Sequence, residues 1–323
     1  MKLCLNTDSL GDLPLEQALD FAASIGIESV EIAAGGYSAA PHMRIGELLT
    51  DASQRGRFAS AITSRGLRLN AINCSSDPLH PVHGTQHLAL IQDSIRLAGL
   101  LGVEKIVSMS GCPGDSAQAR TLNWIWFPWP EEMQTIRETQ WGQALDTWGG
   151  IAELAGSHGV RKIALELLPL QLVYNVPTLL RLRDAVGPAI GANIDPSHMF
   201  WQQMDPIRVI QALGPVVHHV HLKDAQLFDE ELALNGVLDY RNWNDPHNRS
   251  WVFRTVGEGH PAPFWKAFLS ALTASGYDDA LSIENEDVLL PGKSGVTRAV
   301  DFISSLTDLE SGRDDARELS GSR

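Results

Sequence analysis

Four short segments of the chain each carry, at or near their ends, a side chain able to hold a metal or move a proton. They are Lys162-Ile163-Ala164-Leu165-Glu166, Ile190-Gly191-Ala192-Asn193-Ile194-Asp195, the stretch 216–223 with His219, His221 and Lys223 on alternate positions, and 280–286 with Ser282, Glu284 and Glu286 in the same alternation. In an extended strand, alternate side chains face the same side. Ile163, Leu165 and Leu167 therefore share one apolar face and Glu166 takes the other, and the same logic places Asp195 with Asn193. Strands buried on both faces normally read as apolar throughout, so inward polar groups near the ends of four of them mark a site. Three carboxylates converging in one place cannot all ionise without a compensating cation. Two glutamates, an aspartate and an imidazole form a mixed oxygen and nitrogen shell without thiolate. The expected ion is Mn²⁺, ahead of Co²⁺, Mg²⁺, Fe²⁺ or Zn²⁺, held by Glu166, Asp195, His221 and Glu284. Such an ion would chelate a carbonyl and its neighbouring hydroxyl, acidify the adjacent C–H and stabilise the enediolate, while a positioned carboxylate removes the proton. Lys223 faces the same way as His221. It is expected either to neutralise the enediolate oxygen or to pair with a barrel carboxylate, for which Glu31 is the candidate.

These residues need a scaffold that brings four strand ends to one place. Strand-like runs fall near 2–7, 29–34, 67–74, 105–111, 162–168, 190–195, 216–223 and 279–286, with helical patterns at 15–25, 46–65, 87–101, 141–158, 176–186, 206–213, 263–275 and 295–306. Asp12 and Pro14, and Asp205-Pro206, read as helix starts. Gly102, Gly159, Gly187, Gly214 and Gly276 follow helix ends, where the chain needs positive φ. Eight strands alternating with eight helices fit a closed (β/α)₈ TIM barrel, with 1–309 as one domain. An open doubly wound sheet fits less well, because no glycine-rich dinucleotide turn follows the first strand. The polar segment from Glu310 to Arg323 is expected to fray.

Two connections are long insertions on the C-terminal face, where barrel active sites lie. One runs from Cys112 to about Gln140 and carries Trp124, Trp126 and Trp129. The other runs from Asp224 to Pro263 and carries Trp243, Arg249, Trp251 and Arg254. Trp126 and Arg254 are candidate substrate contacts, against the plain alternative of core packing or burial on a partner subunit. Val-Gly-Glu-Gly-His-Pro at 256–261 offers a close backbone approach to substrate or phosphate near His260, against a plain turn. His42 has two readings, pocket residue or surface loop.

Composition excludes several classes. The chain has 323 residues and a net charge of −14, from 25 basic against 39 acidic side chains, with no basic block. A nucleic-acid surface needs a Lys/Arg stripe, so nucleic acid is not expected as a partner. No apolar run of 18 residues occurs, which argues against membrane insertion. The opening MKLCLNTDSL reads as a strand rather than a signal peptide, and a cytoplasmic location is expected. Three scattered cysteines, Cys4, Cys74 and Cys112, suggest neither a disulfide framework nor a CxxC metal site.

The motifs LELLP, NIDPSHMFWQ, HVHLKD and SIENED, in this order, resemble those of the xylose-isomerase-like barrel superfamily, the sugar phosphate isomerases and epimerases. The resemblance covers about residues 1–307. It implies the same four metal ligands and a small-molecule sugar substrate. It also implies that Glu166 and Glu284 exchange the proton from opposite faces of the sugar, as in ketose 3-epimerases, and that His198 contacts a substrate hydroxyl. The surroundings depart from the pattern. Leu168 and Asn285 stand where many relatives have histidine, and the second acidic residue that ketose 3-epimerases use near the strand-five end is not evident.

The leading expectation is a metal-dependent sugar isomerase or epimerase. The alternative shares the first step. On a 3-oxo-glycoside, removing the C2 proton permits β-elimination of the group on C1. The chain is similar in its motifs to catalytic subunits of bacterial C-glycoside deglycosidases, which resemblance implies an oligomer with a small second subunit. A nuclease of the endonuclease IV type needs more metal ligands and a basic track. A non-catalytic sugar-binding protein has no need of a metal-held acid/base pair.

Overall fold

The computed structural model describes the backbone of residues 1–320 and the side chains of residues 1–306. Eight parallel strands close into a barrel: β1 (Lys2–Asn6), β2 (Ser29–Ala33), β3 (Arg68–Asn73), β4 (Lys105–Ser108), β5 (Lys162–Glu166), β6 (Ile190–Ile194), β7 (Val217–Leu222) and, after a two-stranded hairpin, β10 (Ala280–Ile283). The hairpin strands are β8 (Asp224–Leu227) and β9 (Trp251–Arg254), paired antiparallel from Asp224 opposite Arg254 to Leu227 opposite Trp251. Closure comes from β1 against β10, with Lys2 beside Ala280 and Leu5 beside Ile283. The eight expected strand positions and the (β/α)₈ class agree with this architecture.

Around the barrel lie α1 (Leu15–Ser24), α2 (Ile45–Thr50), α3 (Ala52–Thr63), α4 (Gly84–Leu101), α5 (Glu132–Ser157), α6 (Val176–Val186), α7 (Pro196–Phe200), α8 (Pro206–Leu213), α9 (Asp229–Asn235), α10 (Ala262–Ala274) and α11 (Gly292–Ser320). The main core fills the space between strands and helices and includes Leu5, Ile32, Ile72, Trp148, Leu165, Ile194, Val220, Phe268 and Ile283. Inside the barrel a small apolar group, Ala71, Val107 and Ala164, separates the two polar ends. At the N-terminal end Lys105 and Lys162 both reach Asp279, at 3.1 and 3.3 Å. Gly191 is required where it stands, because a Cβ there would lie 2.4 Å from the His218 ring.

Several boundaries differ from the sequence expectation, and α11 runs over Gly292–Ser320 against the expected 295–306. The helix expected over 46–65 is broken, because the Asp51 carboxylate accepts from Ser53 N and Gln54 N and starts a new helix within it. α4 and α5 begin earlier than their apolar periodicity suggests. The long insertion after Asp224 folds into β8, α9 and β9. The cysteines are all free and buried, and among the described residues no helix is long and apolar enough to cross a membrane. The tail expected to fray from Glu310 lies outside the residues whose side chains are described.

Candidate metal centre

Each ligand position follows from where its strand stops. Glu166 is the last residue of β5, Asp195 follows β6, His221 lies one residue before the end of β7, and Glu284 follows β10. The register sets Glu166 beside Asn193 and Ser282 beside His221, which levels the four strand ends. One donor atom from each of Glu166, Asp195, His221 and Glu284 lies within 4.8 Å of every other. His221 Nδ1 is 3.2 Å from Glu284 Oε2, 3.8 Å from Glu166 Oε2 and 3.9 Å from Asp195 Oδ2.

The donors fit a divalent cation. Asp195 is fully buried; its Oδ1 accepts from Ser197 N, but Oδ2 has no hydrogen bond of sound geometry, although Lys223 Nζ lies 3.0 Å away. Lys223 thus gives that oxygen one positive neighbour, and its remaining lone pair leaves room for a metal ion beside it. The far nitrogen of the His221 ring, Nε2, lies 3.1 Å from Glu31 Oε1, and Asn193 Nδ2 lies 3.1 Å from Nδ1. The Glu31 contact holds the ring with Nδ1 on the side of the carboxylates, as outer-shell partners do for metal-binding histidines. Burial alone would push the His221 imidazolium down, yet the Glu284 and Glu31 carboxylates outweigh it and raise it well above its ordinary value. The cluster thus calls for positive charge at this point. Glu284 shows the converse: burial opposes its ionisation, but the His221 and Lys223 charges hold it below the usual carboxylate range.

Lys223 is buried and touches three carboxylates, at 2.6 Å to Glu284, 2.9 Å to Glu286 and 3.0 Å to Asp195. Of its two expected roles the ion pair is present, but the expected partner is not. Glu31 is fully buried beneath it and is spent on His219 at 2.8 Å, Ser282 Oγ at 2.7 Å, Asn73 Nδ2 at 2.8 Å and His221. Two imidazoles on β7 take that carboxylate in place of the lysine, because the alternation of His219 and His221 brings both rings to Glu31. His198 Nε2 is 2.8 Å from Glu166 Oε1 and 3.5 Å from Asp195 Oδ2. Burial lowers its pKa, but Asp195 and Glu166 together carry it above the ordinary histidine value.

The more distant candidates separate from this centre. His42 is buried rather than on a surface loop, with Nε2 2.9 Å from Leu13 O. Trp126 is 58 % exposed, its ring tilted against that of Phe127 at 5.5 Å. Arg254 pairs with Asp287 at 3.0 Å and holds Gln226. The backbone amides of Gly257, Gly259 and His260 do form an anion cradle, but Asp224 Oδ2 fills it, at 3.1, 3.0 and 2.8 Å, while His260 Nδ1 meets Asp224 Oδ1 at 2.7 Å. The cradle is a structural latch for the hairpin. A Cβ on Gly259 would lie 2.2 Å from Ala225 O, so only glycine permits that approach.

Three contacts escaped the sequence. Asn6 Nδ2 donates to Glu284 Oε1 at 2.8 Å; its parity with Cys4 on β1 could have pointed to it. Glu286 reaches Lys223, and its parity with Glu284 carried that signal. Beyond His198 a cavity of about 570 Å³ opens, lined by Trp124, Leu168, Leu170, Trp201, Trp243 and Phe253 among others.

A family model described as xylose isomerase-like TIM barrel matches residues 19–306. A protein of Bacillus subtilis strain 168, called uncharacterized protein YfiH, is 42% identical over 307 residues, covering 94% of this chain and 98% of its own length. Among solved structures, the probable 3-DHS dehydratase AsbF from Bacillus anthracis aligns with a TM-score of 0.67 at 17% identity over 94% of this chain and 99% of its own. D-Psicose 3-epimerase from Clostridium cellulolyticum H10, solved with D-tagatose, aligns with a TM-score of 0.60 at 14% identity over 93% and 90%. At such identities these two structures share the fold.

Proposed function

Because the chain belongs to the xylose isomerase-like TIM-barrel family, we propose that it is a divalent-metal-dependent enzyme that removes a proton beside the carbonyl of a sugar. The observation that carries this reading is the convergence of Glu166, Asp195, His221 and Glu284 from four strand ends, with donor atoms within 4.8 Å of one another. These four would hold the ion, Mn²⁺ best suiting carboxylate and imidazole donors. When bound, the ion acts as a Lewis acid that makes the C–H beside a carbonyl easier to ionise.

The chain's own groups supply the rest. Glu166, at the end of β5, and Glu284, after β10, would move the proton between them. Glu284 is kept ionised and oriented by Asn6 and Lys223. Glu166 has His198 at 2.8 Å, on the side that opens into the cavity. Lys223 places a permanent positive charge beside the reacting carbonyl. In an isomerase or epimerase the proton returns from one of these carboxylates.

A second reading is favoured by Leu168. Where a histidine would offer a sugar hydroxyl a partner, this side chain instead forms part of an apolar wall. The same proton abstraction on a 3-oxo-glycoside, followed by loss of the C1 substituent, would use such a wall against the leaving group. A small second subunit belongs with that reading.

Metal analysis of the purified protein, Mn²⁺ titration by calorimetry, and deuterium wash-in from D₂O into oxo-sugars test the main reading. Bound or titratable Mn²⁺ with wash-in supports it. A protein that neither carries nor takes up a divalent ion overturns it. Release of free aglycone from a 3-oxo-glycoside without sugar interconversion selects the second reading.

A further inference from the structure

The cavity beside the metal centre is walled largely by aromatic rings. Trp201, after α7, and Trp251, on β9, stack in parallel at 4.7 Å with 4° between their planes. Trp243 meets Trp251 and Phe253 edge-on, at 5.5 and 5.0 Å. The Arg249 guanidinium packs at 4.6 Å over the Trp243 ring and holds the backbone carbonyls of Asp239, Arg241 and Trp251. The aromatic wall is therefore fixed from behind, and a ligand gains from stacking on it without first ordering it.

The lining offers a free sugar few polar partners. Besides His198 there are the buried indole N–H groups of Trp124 and Trp201, which have no partner among the described residues, and Asp239, which is spent on Arg241 and on Ser250 N. Tyr240 stands at the rim, almost wholly exposed. Hydroxyl groups held against Leu168, Trp243 and Phe253 would lose water without gaining partners. Leu170 adds to this wall from a left-handed conformation, φ 67°, that leucine seldom adopts. Strained backbone of that kind persists where a site gains by it. The cavity volume, about 570 Å³, lies within the range of sites that enclose drug-sized ligands.

His198 joins the two regions. Its Nε2 is 2.8 Å from Glu166, and its ring meets Phe253 edge-on at 5.2 Å. A single ligand can thus reach from the carboxylate cluster into the aromatic cavity. We propose that the aromatic cavity is a second subsite that takes a planar apolar group attached to the sugar-like part of the substrate, so that the substrate class is an aryl conjugate of a sugar rather than a free sugar. This inference rests on the proposed function for the placement of the sugar-like part; the apolar subsite itself does not depend on any metal.

The test compares phenyl β-D-glucopyranoside with methyl β-D-glucopyranoside by calorimetry on the Mn²⁺-loaded protein. The phenyl compound is expected to bind about tenfold tighter or more, from burial of one aromatic ring. Trp243→Ala and, separately, Leu168→Gln should each reduce that preference to about threefold or less while leaving Mn²⁺ affinity unchanged. Equal affinity for the two glucosides, including no measurable binding of either, overturns the inference, as does a phenyl preference that survives both substitutions. If Trp243→Ala fails to fold, Leu168→Gln and the wild-type comparison decide. Mn²⁺ uptake without a phenyl preference sinks the subsite alone; a phenyl preference without Mn²⁺ uptake sinks the metal-dependent reading alone.

Discussion

His221 and Glu31 lie 3.1 Å apart, Nε2 to Oε1, both fully buried beneath the carboxylate cluster. The contact fixes the ring so that Nδ1 faces Glu284. Glu31→Gln keeps the shape but removes the charge. Mn²⁺ affinity is expected to fall by about 10- to 100-fold, read by calorimetry. An unchanged affinity would show that the ring is held by packing alone.

Proton transfer is assigned to two carboxylates. Glu166→Gln and Glu284→Gln retain an oxygen donor for the ion but not the base. At saturating Mn²⁺, each is expected to slow deuterium wash-in by about 10²-fold or more. Wash-in at the wild-type rate in either variant would remove that residue from the chemistry.

Lys223 balances three carboxylates, at 2.6, 2.9 and 3.0 Å. Lys223→Met leaves those charges without their neighbour, and removing one partner of a buried ion pair typically costs about 3–5 kcal/mol. The metal-free variant should melt earlier than wild type. Added Mn²⁺ should raise its Tm by more than it raises that of the wild type, because the ion then supplies the missing charge. Equal increments would argue that Lys223 and the ion do not share the same carboxylates.

These sites were legible to very different degrees. The convergence of Glu166, Asp195, His221 and Glu284 could be read because strand alternation is a strict period of two, and each carboxylate or imidazole falls on the inward parity of an otherwise apolar run. The partner of Lys223 could not be read. Parity places Glu31, His219 and Lys223 all inward but gives no depth, and depth decides that Glu31 meets the histidines. Trp124 lines the cavity and Trp126 does not, a distinction the sequence hides because an irregular loop has no period to separate residues two apart. The helix break at Asp51 followed from a single side chain competing for backbone amides, which apolar periodicity does not record.

Asp77 provides a pH signature away from the metal. Its Oδ1 accepts from Leu79 N and Cys112 N, while its buried Oδ2 has no partner. Burial outweighs these hydrogen bonds and raises its carboxyl from 3.8 to about 6. The folded state therefore binds the proton more tightly than the unfolded chain does. The stability this contributes is fully present below about pH 4, the unfolded pKa, and is lost as pH rises through about 6. The loss amounts to about 3 kcal/mol at most, at 1.36 kcal/mol per pKa unit. Denaturant unfolding between pH 4 and 7 should show this slope in the wild type and a smaller one in Asp77→Asn. Identical slopes would refute the assignment.

The latch formed by Asp224 has a bearing on which sugars can enter. Three converging backbone amides are the usual seat for a phosphoryl group, and here the chain has seated its own carboxylate in them. A phosphate ester arriving from solution would have to displace an intramolecular competitor, whose effective concentration far exceeds that of a free metabolite. It would also have to lie against acidic neighbours in a chain of net charge −14. At that cradle any phosphoryl group competes with the chain's own carboxylate.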